Sequence, residues 1–221
     1  MHGLVEQFAA GTITTLTVFA SSAILGTAVG FCVAAATTSQ LRLAAAVGTA
    51  YVNVIRGVPE LLIILVAFFG GTGALSWAVG RYVEINAFAA GVGALTIVFG
   101  GYAAEVFRGA IKAIAAGQTE AAASLGLGRL HTWHLIIVPQ MIPLALPAYG
   151  NLCISLIKDT SLVSIVGLSD VMRVAYVGAG SFRAPLPFYL AASAIYLAFT
   201  SCALSGFRVL ERRFEPKGGR A

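Results

Sequence analysis

The chain alternates long apolar segments with shorter polar ones, and its longest apolar segments contain no charged residue. A helix needs roughly 20 apolar residues to cross the hydrocarbon layer of a membrane. Each uncharged segment that reaches this length is a candidate span. Asp, Glu, Lys and Arg are absent from residues 7–41, 61–80, 85–104, 135–157 and 184–207.

We therefore predict an all-α membrane protein with five transmembrane helices, because lipid offers no partner to an unpaired backbone group. No Lys or Arg precedes Arg42, and the first apolar segment exceeds the ~7–15 residues of a signal-peptide core. We expect it to be a retained span within a single transmembrane domain, residues 1–221. The predicted spans are about 12–36, 59–79, 86–107, 138–157 and 187–207.

The segments between the spans have patterns of their own. Residues 37–57 predict a helix along the membrane surface, and residues 158–185 predict an outer segment with helical character. Residues 108–134 form the predicted loop between spans three and four, the second cytoplasmic loop. The spacing of Gly26 and Gly30 permits a close helix contact, although in a chain with 25 glycines it also fits chance.

Span four begins with three prolines. Pro139, Pro143 and Pro147 are four residues apart and so lie on one side of a helix. Proline lacks the backbone N–H and collides with the preceding turn. The start of this span is therefore predicted to be kinked or irregular.

The composition agrees with a membrane protein, since 58% of the residues are hydrophobic and 10% are charged. About a quarter of the residues in a soluble domain are charged. The positive-inside rule favours an outer N-terminus and a cytoplasmic C-terminus. In this orientation the only basic residues outside are Arg81, Lys158, Arg173 and Arg183. This asymmetry explains the net charge of +5 without nucleic-acid binding. The basic residues then placed inside are Arg42, Arg56, Arg108, Lys112, Arg129, Arg208, Arg212, Arg213, Lys217 and Arg220.

Residues 117–139, GQTEAAASLGLGRLHTWHLIIVP, predict a short Ala-rich helix, a glycine turn, a basic patch and a proline. Alanine favours a helix and adds little bulk, and Gly126 can end the helix in a sharp turn. A slim helix of this kind can lie in a groove of a partner protein. From these residues alone, an ordinary interhelical loop is an equally good interpretation.

These residues resemble the EAA loop of permease subunits of binding-protein-dependent ABC importers, in which Glu120, Ala121 and Ala122 are followed after three residues by Gly126. The likeness extends from about residue 10 to residue 213 and favours the polar amino acid branch, which serves histidine, basic amino acids and opines. Three further segments carry it: YVNVIRGVPELLIILVAFFG, GGYAAEVFRGAIKAIAAGQTEAA and KDTSLVSIVGLSDVMR.

The resemblance implies a type I ABC importer fold with a helix at 117–128 that couples the chain to a separate ATPase. Glu120, Ala121, Ala122 and Gly126 would be the coupling residues, and we expect Glu120 early in the helix, where the helix dipole favours an acid. The implied partners are an ATPase dimer that binds ATP and Mg²⁺, a second permease subunit (a copy or a paralogue) and an extracytoplasmic solute-binding protein. The implied location is the bacterial cytoplasmic (inner) membrane, and the solute a polar or basic amino acid or an opine-like compound.

Polar side chains in or beside spans mark candidate solute paths. Counting 1.5 Å per residue puts Lys158 about 35 Å beyond residue 135, at the outer end of span four; if residues 135–143 belong to the coupling region, it lies deeper. Lys158 and Asp159 would either bind a zwitterion or form a pair that caps the helix or gates the path. The candidates are Glu60, Asn151, Ser155, Lys158, Asp159, Thr160 and Ser161.

Two of the acids near spans have specific interpretations. Glu60, at the inner end of span two, either attracts a cationic side chain or caps the helix start. Leu152 weakens the cationic interpretation, because many relatives carry an acid there. Glu105 and Arg108, three residues apart, are expected to form a structural ion pair.

Other kinds of function have little support in the sequence. No Gly-Lys-Ser/Thr follows the glycines at 70–73, so the chain lacks a P-loop. His131 and His134 have no further metal ligands nearby in the sequence, so we expect no metal site and no cofactor bound by this chain. No nucleophile–base pair is recognisable, so we do not expect the chain to be an enzyme. The alternative is a secondary transporter or channel subunit without an ATPase, but such proteins typically need more spans or an inverted repeat.

Overall fold

The computed structural model describes residues 2–214, and its regular elements there are all helices. Lys217 and Arg220 of the predicted cytoplasmic set lie outside the described residues. Five helical segments are long and apolar enough to cross a membrane, which confirms the predicted class and number of spans. They are Gly3–Thr37, Glu60–Val79, Ala87–Ala113, Arg129–Val166 and Pro185–Phe214.

The first half of the chain supplies three of these spans. A π-helical turn, Val66–Gly70, interrupts the second one. The helices are α1 (His2–Thr37), α2 (Arg42–Gly57), α3 (Glu60–Leu65), α4 (Gly71–Val79) and α5 (Ala87–Ala113).

The second half supplies the other two spans and two short helices. The fourth span is one continuous helical segment, in which a π-turn (Trp133–Ile137) and a 3₁₀ turn (Thr160–Val166) flank its central helix. The helices are α6 (Ala116–Ser124), α7 (Arg129–Thr132), α8 (Val138–Asp159), α9 (Val171–Ser181) and α10 (Pro185–Phe214).

Helix α5 is the centre of the bundle. Of its most apolar window, 61% is buried within the chain, against 6% for the last span. The last span packs on α8 and α9 along one side and leaves much of its apolar surface for lipid or for partner subunits. α1 packs along α5 over much of its length.

The close contact between α1 and α5 depends on glycine. A Cβ on Gly30 would lie 2.7 Å from Cβ of Ala103, and one on Gly26 would lie 2.8 Å from Cδ1 of Phe99. Since real Cβ atoms essentially never approach so closely, any larger residue forces the helices apart. The spacing of these glycines therefore marks a helix contact, and the chance interpretation is wrong.

The predicted helix within residues 37–57 is present as α2, but it does not lie flat across the end of the bundle. Gly48 packs against Thr37 at the end of α1, whereas Ile55 packs against Gly101 near the middle of α5. The buried face of Gly48, Val52 and Ile55 draws α2 inward, because these apolar residues bury against α1 and α5.

The proline-rich start of span four is irregular, as predicted. The backbone N–H of Val138 donates to the carbonyl of Trp133, five residues back. Pro139 has no N–H to offer the carbonyl of Leu135, so the helical ladder changes register just before it.

Candidate solute pocket and coupling helix

Helix α6 occupies the predicted coupling segment but begins at Ala116, so Glu120 is its fifth residue and its first turn has no acid. The expectation that Glu120 lies early in the helix is therefore wrong. Ile114 and Ala115 are extended, with ψ of 129° and 133°, so α6 cannot begin before Ala116. Glu120 is therefore in the middle of the helix. The influence of the helix dipole fades within the first turn.

The end of α6 is a sharp glycine turn, as predicted. Gly126 has φ of +73°, a left-handed conformation that costs a residue with a side chain about 1–2 kcal/mol. The N–H of Leu127 donates to the carbonyl of Ala122 at 3.0 Å, and the N–H of Gly126 donates to that of Ala123 at 3.0 Å. This Schellman pattern pairs the last carbonyls of the helix. Gly128 then precedes α7.

The four predicted coupling residues do not share one surface. Glu120, Ala121 and Gly126 are exposed, whereas Ala122 is only 1% exposed and faces its own chain. Behind α6, a cavity of about 460 Å³ separates part of the helix from Trp133 of the π-turn. α6 thus packs on span four along one side and leaves the other side open.

A second cavity, of about 290 Å³, contains three of the predicted path residues, Glu60, Ser155 and Asp159. The phenolic O–H of Tyr102 donates to Oε1 of Glu60 at 3.1 Å. The other lining residues are Val98, Phe99, Leu152 and Leu156. No Lys or Arg among the described residues lines this cavity, so its charged groups are the two carboxylates. We refer to it as the solute pocket.

The depth of this pocket bears on two predicted positions. Tyr102 is eleven residues before the end of α5, which corresponds to about 16 Å along the helix. Glu60 is the first residue of the second span, as predicted, and its contact with Tyr102 shows that this end of the span lies beside the middle of α5. Asp159 lines the same pocket, which agrees with the deeper of the two positions predicted for the Lys158–Asp159 segment. The fourth helical segment begins at Arg129 and continues to Val166, seven residues beyond Asp159.

The remaining path candidates lie off the pocket. Asn151 and Lys158 are exposed and seven residues apart, on one side of α8, whereas Ser155 and Asp159 are on the pocket side. Since α8 is unbroken through Asp159, Lys158 and Asp159 point in different directions, and the predicted shared zwitterion site is not formed within this chain.

Thr160 and Ser161 make local hydrogen bonds instead. The Thr160 hydroxyl donates to the carbonyl of Ile157 at 2.7 Å, and the Ser161 hydroxyl donates to the carbonyl of Lys158 at 2.7 Å. Both bonds tighten the turn where α8 passes into the 3₁₀ segment.

Glu105 and Arg108 form the predicted ion pair, with Nε of Arg108 donating to Oε2 of Glu105 at 3.1 Å. Arg56 of α2 approaches the same carboxylate at 3.8 Å. The pair therefore also holds the end of α2 against α5.

Tyr102 and Asp170 are two polar residues that were not predicted from the sequence. Tyr102 could have been found as a lone hydroxyl opposite an acid within an apolar span. Asp170 is 1% exposed, and its Oδ1 accepts the N–H of Arg173 at 2.9 Å, which caps α9. Its Oδ2 accepts the hydroxyl of Tyr196 at 3.4 Å, and the neighbouring N–H of Val171 donates to Thr15 at 3.3 Å. Burial raises the pKa of Asp170 to about 6.

Similar proteins are known. The nopaline transport system permease protein NocQ of Agrobacterium fabrum is 39% identical over 214 residues, covering 94% of this chain and 90% of the relative. The arginine ABC transporter permease protein ArtQ of Haemophilus influenzae is 40% identical, covering 75% of each. The histidine/lysine/arginine/ornithine transport system permease protein HisQ of Escherichia coli is 34% identical, covering 97% and 96%.

Solved structures share the fold. A crystal structure of an amino acid ABC transporter with histidines superposes with a TM-score of 0.83 at 32% identity, covering 96% of each chain. The inward-facing MetNI methionine ABC transporter superposes with a TM-score of 0.80 at 17% identity, covering 98% of this chain and all of the other.

The sequence profile of one family, the binding-protein-dependent transport system inner membrane component, matches residues 26–216. The match covers four of the five spans completely, together with α6 and both walls of the solute pocket. This chain belongs to the family of binding-protein-dependent transport system inner membrane components.

Proposed function

We propose that this chain is the membrane-spanning subunit of an ATP-driven importer for a polar or basic amino acid or an opine-like compound. The observation that carries this proposal is the solute pocket, where two carboxylates meet beside the middle of the central helix. Binding sites at mid-depth between helices are typical of transporters.

The pocket favours a solute with a positive charge. Glu60 and Asp159 supply negative charge, and Lys158 lies outside the pocket wall. Relatives of this chain are named for arginine and for histidine, lysine, arginine and ornithine, which agrees with a cationic side chain. Leu152 contributes an apolar part of the pocket wall.

Five spans form too thin a wall for a complete path, so a second permease subunit, a copy or a paralogue, completes it. The exposed side of α8 with Asn151 and Lys158 offers a polar stripe that lipid would disfavour. A partner subunit or the path itself would cover this stripe.

The coupling helix at 117–128 would dock on an ATPase dimer that binds ATP and Mg²⁺, while a solute-binding protein delivers the solute from outside. This requires an outer N-terminus and a cytoplasmic C-terminus. The fourth helical segment, Arg129–Val166, joins the turn after α6 directly to Asp159, so a displacement of α6 has a continuous helix along which to act. Nucleotide would then select between two packings of the bundle by binding one of them better.

Co-purification and uptake test the proposal together. The chain, expressed with its neighbouring genes and solubilised in detergent, should retain an ATPase subunit. Vesicles containing the complex should take up L-arginine only with ATP inside and the loaded solute-binding protein outside. A chain that never retains an ATPase, or that drives uptake without nucleotide, would contradict the proposal and favour a secondary transporter.

A further inference from the structure

A column of aromatic rings connects the coupling helix to the solute pocket. It begins at Trp133, which lines the cavity behind α6, and ends at Phe99, which lines the solute pocket. The ring centroids are 6.1 Å apart from Trp133 to Phe31, 6.3 Å from Phe31 to Phe107, and 5.8 Å for each of the two steps through Tyr149 to Phe99. Each separation lies within the range of favourable aromatic pairs.

Tyr149 is the junction of this column. Its hydroxyl and that of Thr27 in α1 are 2.6 Å apart, and its ring packs on Phe99 and Phe107 of α5 and on Phe207 of α10. Tyr149 itself belongs to α8, so four long helices meet at one side chain. A shift of any of them must move this ring or its neighbours, because packed interiors have little free space to absorb a displacement.

The far end of the column lies on an irregular turn of the fourth helical segment. Trp133 is the first residue of the π-turn Trp133–Ile137, immediately before the prolines. Single π-turns within α-helices are frequent at functional sites. A return of this turn to α-helical register would rotate Trp133 against Phe31 and so displace the column. Switching elements of this kind have two discrete arrangements and no continuum between them.

We propose that the aromatic column Trp133–Phe31–Phe107–Tyr149–Phe99 couples the position of α6 to the shape of the solute pocket, with Tyr149 as the positioning residue at its junction. The inference rests on the proposed function, because α6 must be displaced by an ATPase. It goes further by assigning the coupling to these side chains rather than to the backbone of span four alone. Phe99 would transmit the displacement to the pocket wall beside Glu60 and Tyr102.

A reporter in the pocket tests this without knowledge of the solute. Ser155→Cys is introduced into a chain whose Cys32, Cys153 and Cys202 are replaced by alanine, and the complex with its ATPase is reconstituted in vesicles. The rate at which a small methanethiosulfonate reagent modifies the reporter is measured with and without ATP and vanadate. Trapped nucleotide should change this rate by about tenfold, a typical size for coupling between two sites.

Tyr149→Leu removes the ring but keeps an apolar side chain, and should reduce the nucleotide effect to less than about twofold. Tyr149→Phe keeps the ring and should preserve the effect. Phe8→Leu is the matched control, since Phe8 is also half-buried and stacks on Phe188 outside the column, with centroids 6.4 Å apart. Phe31→Leu breaks the column at a second ring and should act like Tyr149→Leu, so a folding defect in one variant does not leave the question open.

The outcomes are distinct. If the reporter chain itself shows no nucleotide effect, the proposed function fails. If it responds and both Tyr149→Leu and Phe31→Leu respond equally, the proposed function stands and the aromatic column is overturned. If both variants lose the nucleotide effect on the modification rate and Phe8→Leu keeps it, the result supports coupling through the aromatic column.

Discussion

At the scale of single residues, the two carboxylates of the solute pocket have the most direct effect on transport. Asp159→Asn removes one negative charge from the wall while it keeps the side-chain shape. A hydrogen bond to a charged group contributes about 1.5–3 kcal/mol. The L-arginine concentration that gives half-maximal uptake should therefore rise by roughly 10- to 100-fold. Glu60→Gln should act in the same direction.

Glu6→Gln is the matched control for these variants, because Glu6 is exposed near the start of α1 and far from the pocket lining. It should leave uptake unchanged. Equal affinity in Asp159→Asn and in the unaltered chain would show that the pocket does not hold the cationic part of the solute.

Asp170 predicts a pH dependence of stability. Burial raises the pKa of Asp170 to about 6 from 3.8, so the folded chain binds this proton more tightly than the unfolded chain. This tighter proton binding stabilises the folded chain fully below pH 3.8, and the stabilisation is lost as the pH rises through about 6. Asp170→Asn keeps a capping oxygen but does not titrate. Between about pH 4 and about pH 7, the free energy of unfolding of the unaltered chain should fall by up to about 3 kcal/mol relative to that of the variant.

Thermal unfolding of both chains in detergent over this pH range measures the effect. The difference between their melting temperatures should change as the pH rises from about 4 to about 6 and should level off above the raised pKa of Asp170. A difference that stays constant would mean that the carboxylate keeps its ordinary pKa in the folded chain.

Residue positions were harder to predict than residue types. Acids and hydroxyls near spans drew attention to Glu60, Ser155 and Asp159, because polar groups within lipid need partners, and the structure brings these three residues to one cavity. The depth of Asp159 was left between two positions, since it depends on where the fourth helical segment begins, and hydropathy does not report that. Asp170 was missed because its burial comes from α1 and α10, which are distant in sequence.

At the scale of elements, the turn after α6 provides the clearest test. Gly126→Val places a β-branched residue at φ of +73°, where the cost is conformational because no atom lies within 4 Å of the new Cβ. The last turn of α6 should fray, and the amount of ATPase that co-purifies should fall by roughly five- to tenfold.

Gly128→Ala serves as the control for this substitution. Gly128 has an ordinary φ of −66° and equally open surroundings, so alanine should be tolerated. If both variants retain the ATPase as well as the unaltered chain does, the geometry of this turn has no part in docking.

Element types followed well from the sequence, and element ends did not. The fourth span was predicted at about 138–157, whereas its helix is continuous over Arg129–Val166. Hydropathy detects the length that lipid requires, but a helix continues through polar residues as long as its backbone bonds are made. The π-turn at Trp133 was foreseen only as an irregularity, because proline removes a bond without specifying what replaces it.

At the scale of the whole molecule, the bundle is an incomplete transporter. α5 is largely enclosed by the chain itself, but few residues of the last span are fully buried. The polar stripe of Asn151 and Lys158 is likewise uncovered. An assembly of two permease subunits would cover both surfaces and enclose the solute pocket between them.

The central claim is that α6 lies in the cytoplasm and docks on an ATPase, and cross-linking from position 120 tests it most directly. A photoreactive amino acid replaces Glu120 in the native membrane, with the exposed Tyr82 on the opposite side as the control position. After irradiation, position 120 should form an adduct with the ATP-hydrolysing subunit, and position 82 should not. An adduct of position 120 with an extracytoplasmic protein, or of position 82 with the ATPase, would contradict the account.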